Sequence, residues 1–235
     1  MTSLSELKFF ATPSHDCSYI DGKQAITLFV DPAAELDCQL YTALAAVGFR
    51  RSGSHIYRPY CQTCSACIPV RLPVAEFQPR RTQSRTWKRN ADLAVTQANP
   101  TYTDEYYDLY ARYISSRHSD GDMYPPEAEQ FKSFLVECRE ETRFYEFRCA
   151  DRLMAIAVAD RLQDGLSAIY TFFDPDEVQR SLGVQAVLWL IDEAKRLQLS
   201  YLFLGYWIKQ CQKMNYKLEY RPIELFINGH WIPLD

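Results

Sequence analysis

Cys61, Cys64 and Cys67 stand at C-x2-C-x2-C spacing between two strand-like stretches, residues 49–60 and 68–74. Two thiolates three positions apart on a tight turn can face one ion, so the run suits a structural zinc or an iron–sulfur cluster. Three donors leave a fourth position open, and Cys17 in His15-Asp16-Cys17-Ser18 is the nearest remaining thiol in this half of the chain. The alternative is three reduced thiols without metal. Cys38 falls in a helical pattern, and Cys138, Cys149 and Cys211 are isolated; all four read as packing residues.

A second pattern is electrostatic. From Arg50 to Asn90 there are nine Lys/Arg residues and one acid, Glu76, so the segment is +8 in a chain of net −4. A basic band inside an otherwise acidic protein suits a face that meets a polyanion. Its densest part holds Arg80, Arg81, Arg85, Lys88 and Arg89. On a helix starting near Thr82, Arg81, Arg85 and Lys88 or Arg89 share a face, and guanidinium groups so spaced suit successive phosphates of a nucleic acid. Trp87 would stack on a base or anchor the helix. A solvated surface is the plain alternative.

Residues 170–183 read as strand, turn and helix start, with Arg180, Ser181 and Gly183 at the junction. Free backbone N–H groups and an arginine there suit a phosphate, and Ser181 also suits an ordinary helix cap. Acetyltransferases hold the coenzyme A pyrophosphate with an Arg/Gln-x-x-Gly-x-Gly/Ala loop in this place. Here Arg180-Ser-Leu-Gly183-Val-Gln185 lacks the last small residue, so a different phosphate ligand is expected. Further on, Lys209, Lys213 and Lys217 recur every four residues and predict one basic helical stripe beside Tyr206, Trp207 and Tyr216.

The elements that must carry these groups fall into two textures with a seam at Ala98-Asn99-Pro100-Thr101. The expected division is an N-terminal domain 1–98, with the cysteine loop and basic segment, and a transfer domain 99–235. In the first, residues 25–30 predict a strand; Leu36, Leu40, Leu44 and Val47 predict a helix ended by Gly48. Residues 68–74 predict an edge strand, because of their prolines. In the second come a helix lined by Tyr106, Leu109, Tyr110, Tyr113 and Ile114, and another lined by Phe131, Phe134, Leu135 and Cys138. A three-stranded antiparallel meander follows at 144–150, 153–161 and 167–173. The chain closes with a helix at about 181–197, a strand at 201–206, a short helix around 208–216 and a hairpin on Asn228-Gly229. The fold class is α+β. The element order of the second part resembles the N-acetyltransferase (GNAT) superfamily.

At 235 residues, 47% hydrophobic and 24% charged, the chain can bury a core, which excludes wholesale disorder. No apolar run approaches the ~20 residues of a membrane helix, and no secretory signal precedes the first element. A cytoplasmic protein without membrane contact is expected.

Several of these segments together resemble the arginyl-tRNA–protein transferase family and its short bacterial branch. They are His15-Asp-Cys17-Ser-Tyr19, Tyr57-Arg-Pro59 with the cysteine run, Phe77-Gln-Pro79 with its basic continuation, Ser181-Leu-Gly183, Gly205-Tyr-Trp-Ile208, and Cys211-Gln-Lys-Met-Asn-Tyr-Lys217. The resemblance spans nearly the whole chain. It implies a small cysteine-containing N-terminal domain, with Cys17, Cys61, Cys64 and Cys67 as the metal or cluster ligands, followed by an acetyltransferase-like domain. It also implies transfer of an amino acid from an aminoacyl-tRNA to a protein N-terminus, marking that protein for degradation. In the short branch the donor is leucyl-tRNA and the acceptors begin with Asp or Glu. Arginyl-tRNA as donor, a coenzyme A-dependent acetyltransferase and a non-catalytic zinc-dependent RNA-binding module are the other readings.

That reaction needs no cofactor. An α-amine has a pKa near 8, so roughly a tenth is free base at neutral pH, and the ester is already activated. Positioning and oxyanion stabilisation remain. The chain has four His and no Ser–His–Asp or Cys–His pattern, so no covalent nucleophile is named. Asp174 and Tyr206, at strand ends, are the candidates for proton handling. An acceptor carboxylate needs a cation, for which Lys213, Arg221 and Arg80 are the candidates. Arg80, Arg81, Arg85, Lys88, Arg89, Arg180, Ser181 and Gly183 are the expected tRNA contacts.

Overall fold

The computed structural model describes residues 4–234. It is an α+β fold in which the chain forms two compact units and crosses between them. The first comprises Met1–Phe77, Leu162–Ser167 and Leu199–Asp235, the second Gln78–Arg161 and Ala168–Gln198.

The first unit opens with β1 (Phe9–Ala11), β2 (His15–Asp16), β3 (Gln24–Ala25) and β4 (Thr27–Val30). The strand expected at 25–30 is therefore broken at Ile26: its first part pairs with β2 and its second with β1. Helix α1 (Cys38–Ala46) starts on Asp37, whose carboxylate accepts the Leu40 N–H at 2.7 Å. It ends at Gly48, whose φ of +88° follows the expectation for a glycine past a helix end. Tyr41 and Leu44 are fully buried and pack with Val30, Phe49 and Ile56. Then come β5 (Arg50–Ser52), β6 (His55–Pro59) and β7 (Ile68–Pro73).

The second unit contains α2 (Arg81–Arg89), β8 (Leu93–Ala98), α3 (Asp104–Arg117), α4 (Ala128–Phe131), β9 (Thr142–Cys149) and β10 (Arg152–Arg161). It continues through most of β11 (Gly165–Phe173) and α5 (Leu182–Arg196). The expected face of α3 is the buried one, and Thr103 caps it by accepting the Tyr106 N–H. The helix expected around 131–138 is only one α-turn, continued by a wider turn over Lys132–Val136; Phe131 and Leu135 are its buried pair. The meander is present as predicted, with Ala150 at φ +50° in its first turn. These strands and α3 enclose a core of Tyr110, Phe131, Phe144, Ile156 and Phe172.

The chain then returns to the first unit as β12 (Tyr201–Trp207), β13 (Ile223–Ile227) and β14 (His230–Leu234). Asn228 and Gly229, both at positive φ, close the last hairpin as expected. Strand order runs β14-β13-β7-β12-β11 here and β11-β10-β9-β8 in the second unit.

Two expectations are corrected. No single boundary at 98/99 divides the chain, because β8 pairs with β9 along its whole length and so belongs with the strands that follow it. Strand β7 is not at an edge: β12 lies on one side and β13 on the other. Its prolines are tolerated because β13 pairs only with Val70 and Arg71, leaving Pro69 and Pro73 outside the two-sided stretch. Arg71 joins these strands. Its guanidinium lies 3.7 Å from the Tyr201 ring and 4.3 Å from the Trp231 ring, and Nε donates to Glu224 at 2.5 Å.

Replacing Arg71 by Met removes both ring contacts and leaves Glu224 unpaired. The expected loss in urea unfolding is about 2 kcal/mol, between the small worth of exposed ion pairs and the 3–5 kcal/mol of fully buried ones. Glu224→Gln, which keeps an acceptor, should cost less than half as much. A wild-type midpoint for Arg71→Met would show that the stack carries nothing.

Candidate functional site

The cysteine loop lies between β6 and β7. The Tyr60 N–H donates to Ile26 O at 2.7 Å, and the Cys61 thiol points to the same carbonyl. The turn after β2 presents Cys17, its N–H bonded to Lys23 O at 2.9 Å. All four thiols named from sequence are free and half-buried. They sense one another: burial first, then the charges of Cys17, Cys61 and Cys64, pushes the Cys67 thiol up to about 12. Partly desolvated thiols gathered in this way are a donor set that a bound cation would deprotonate and stabilise. Among the described residues, however, no three His, Cys, Asp or Glu side chains stand in a ligand-ready arrangement. Cys61, Cys64 and Cys67, with Arg58, Tyr60 and Tyr206, line a cavity of about 350 Å³.

Behind it sits a buried cluster of phenols and cations. Tyr206 donates its hydroxyl to Gly48 O at 2.8 Å, and burial holds its phenol well above the usual range. That makes it a poor proton acceptor at neutral pH. Lys217 is 7% exposed and its ammonium donates to Tyr206 O at 2.5 Å. Burial first, then the Arg50 charge, lowers its pKa to about 7. Arg50 is equally buried, on β5. The expected stripe of Lys209, Lys213 and Lys217 does not form. The segment is a 3-10 helix, Gln212–Glu219, with three residues per turn; Lys209 and Lys213 are exposed and Lys217 points inward. The sequence signal missed was Lys217 preceding Leu218 and Tyr220, in a run that must turn inward to pack.

Of the other expected acceptor cations, Lys213 is exposed, and Arg221 donates to Leu234 O in β14. Arg80 lies at the start of α2, in the second unit.

In the second unit, Gln83 accepts the Arg80 N–H at 2.8 Å and so caps α2. Gln83 and Thr86 face inward, while Arg80, Arg81, Arg85, Lys88 and Arg89 are exposed beside Trp87. Among the described residues no carboxylate pairs with Arg80, Arg81, Arg85 or Lys88, whereas Arg89 donates to Gln179 O. The basic band is thus not one face. Arg50 and Arg51 are buried and Arg71 is committed to Tyr201, Trp231 and Glu224.

The phosphate junction and the proton-handling candidate Asp174 are built otherwise than expected. Arg180 donates to both oxygens of Asp92, at 2.9 and 2.7 Å, so its fork is occupied. Ser181 adopts φ +53° and makes no side-chain cap. A β-carbon on Gly183 would meet the Phe173 ring at 3.1 Å, so this glycine serves close packing. Asp174, 1% exposed, is bound by Arg112 at 3.1 Å and Arg152 at 2.5 Å. Burial pushes its carboxyl up, but the Asp176 N–H and the two arginines outweigh that and hold it below the usual range. It is a structural anion, not a base.

Two family models match this chain: the N terminus of arginine-tRNA-protein transferase over residues 15–85 and the C terminus over residues 105–227. Curated relatives named aspartate/glutamate leucyltransferase are 58% identical in Pseudomonas syringae pv. tomato and 59% in Pseudomonas aeruginosa, each over 100% of both chains. A relative with the same name in Pseudomonas fluorescens is 57% identical over the same full coverage. Among solved structures, the C-terminal domain of a lysylphosphatidylglycerol synthetase from Agrobacterium fabrum is 11% identical, with a TM-score of 0.46 over 72% of this chain and 52% of that one. No helix among the described residues is long and apolar enough to cross a membrane. Full-length identity near 58% and both halves of the family signature place the chain in the arginine-tRNA-protein transferase family, as an aminoacyl-tRNA–protein transferase.

Proposed function

We propose that this chain transfers leucine from leucyl-tRNA to the α-amine of proteins that begin with Asp or Glu, marking them in the cytoplasm for degradation through the N-degron pathway. The observation that carries this is the full-length match to relatives bearing the leucyltransferase name. The amine attacks the ester carbonyl of the aminoacyl-tRNA, a peptide bond forms and the tRNA 3′ hydroxyl leaves. The second part of the chain acts as an acetyltransferase-like transfer scaffold. Its Arg180 junction speaks against a coenzyme A diphosphate, since Asp92 occupies the arginine and Phe173 fills the space beside Gly183.

With labelled leucyl-tRNA and peptides beginning with Asp, Glu or Ala, leucine should appear on the first two alone. Transfer from arginyl-tRNA instead would replace the donor. Acetylation from acetyl-coenzyme A, with both tRNAs inert, would remove the reading.

The exposed cations of α2 are the tRNA contacts in this reading. Reversing Arg81, Arg85 and Lys88 to Glu should reduce the log–log salt slope of tRNA binding by about 2, at roughly 0.7–0.9 per phosphate contact. An unaltered slope puts the tRNA elsewhere.

Cys17, Cys61, Cys64 and Cys67 hold a structural zinc or iron–sulfur cluster in this reading. Their clustering supports it, and binding would draw the thiols together and deprotonate them. Elemental analysis of anaerobically purified protein should find metal that Cys64→Ser loses. Metal-free, folded and active protein would remove the assignment.

A further inference from the structure

We infer that Lys217 and Arg50 receive the side-chain carboxylate of the acceptor's first residue, beside Gly205. The inference rests on the leucyltransferase reading above and names the residues that select its acceptors.

Strand β12 passes through Gly205 at φ +83°, where its register with β7 slips between Phe203 and Gly205. A β-carbon built on Gly205 would lie 3.6 Å from Lys217 Nζ, 3.7 Å from Arg50 Nη2 and 3.8 Å from Arg50 Nε. Glycine puts no side chain there, so three N–H donors from two cations converge on a spot that a ligand atom can occupy. An oxygen seated beyond the Gly205 Cα, less than about 1 Å closer to the donors than that β-carbon, reaches ordinary charged hydrogen-bond distances. Gly205 is half-buried, and Tyr216, next to Lys217 in the chain, is 45% exposed.

The charges around it fit an anion. Beyond Tyr206 O, the Lys217 ammonium has the Met214 sulfur at 3.8 Å and the Tyr216 ring at 5.9 Å. The side chains whose titration bears on it are Arg50 and Cys211, and no carboxylate is among them. Arg50 also acts on the phenols of Tyr57, Tyr206 and Tyr216, so aromatic hydroxyls surround it. Two desolvated cations side by side repel, and an incoming carboxylate turns that repulsion into attraction. A first residue with a neutral side chain leaves the repulsion in place and binds poorly. Lys213, the cation favoured from sequence, is exposed and lies one turn too early.

Leucine transfer is measured with two peptides identical except for a first residue of Asp or Asn. Lys217→Met keeps the stem and deletes the charge. The Asp-over-Asn preference in kcat/KM should fall by about tenfold or more, the effect of losing a hydrogen bond to a charged group. The loss should appear in KM for the Asp peptide, with KM for leucyl-tRNA unaltered, and Lys217→Arg should restore part of it. Gly205→Ala keeps both cations and fills the spot with a methyl group, at some backbone strain because φ is +83° there. It should give the same selective loss, and it decides the matter if Lys217→Met fails to fold. A wild-type Asp-over-Asn preference in these variants overturns the assignment, however far the overall rate falls. Wild-type protein that leucylates neither peptide overturns the leucyltransferase reading instead.

Discussion

The first unit depends on an arginine stacked between two aromatic rings. Strand β7 carries two prolines and still lies between β12 and β13, because only Val70 and Arg71 are paired on both sides. That leaves few ladder hydrogen bonds to hold β13 in place. Arg71 makes up the deficit by stacking on Tyr201 of β12 and Trp231 of β14 while its Nε holds Glu224 of β13. The same stack fixes β12 against its neighbours, and β12 carries Gly205 and Tyr206. Tyr206 in turn reaches Gly48, the residue that ends α1, and its carbonyl receives the Lys217 ammonium. The placement of the buried cations thus follows from the sheet, and the sheet from Arg71.

The basic residues of this chain meet different fates, and burial decides which. Arg71 and Arg180 are consumed by carboxylates and rings, and are fixed parts of the fold. Arg81, Arg85 and Lys88 stand on an exposed helix face without acidic partners among the described residues, so their charge is available to a polyanion. Lys217 is a third kind: buried, with its pKa lowered by the loss of water and by Arg50. Net charge hides all of this. A segment of +8 contains both structural and surface cations, and their proportions cannot be counted from composition.

What was legible in the sequence was what near neighbours determine. Gly48 ending a helix, Asn228-Gly229 closing a hairpin, the inward face of α3 and the meander all follow from residues within a few positions. What was not legible depends on partners far away in sequence. Prolines at 69 and 73 argue for an edge strand unless one knows that β13 arrives to pair only between them. Residues 93–98 look like the end of a first domain until β9 pairs with them. Lys217 looked like one of three repeating lysines because the α-helical period was assumed; a 3-10 segment has a different period and turns that lysine inward. Cys61, Cys64 and Cys67 were legible as a group, since their spacing is local, whereas the electrostatic contact of Cys17 with Cys67 required the fold.

Keeping Lys217 inside is costly for the fold, and the pH dependence of that cost shows its direction. Its ammonium titrates near 7 in the folded chain and near 10.5 when exposed. Between those values the unfolded chain binds the additional proton, so stability rises with pH across that window and is lowest, for this residue, below it. At neutral pH the penalty is on the order of several kcal/mol, large beside the net stability of a domain. A hydrophobic side chain of similar length would remove it. A carboxylate beside Gly205 would remove it too, by returning the ammonium to its charged form, and only while an acidic acceptor is bound. The unfavourable charge of the site and its preference for an acidic ligand are then the same electrostatic effect, read in opposite directions.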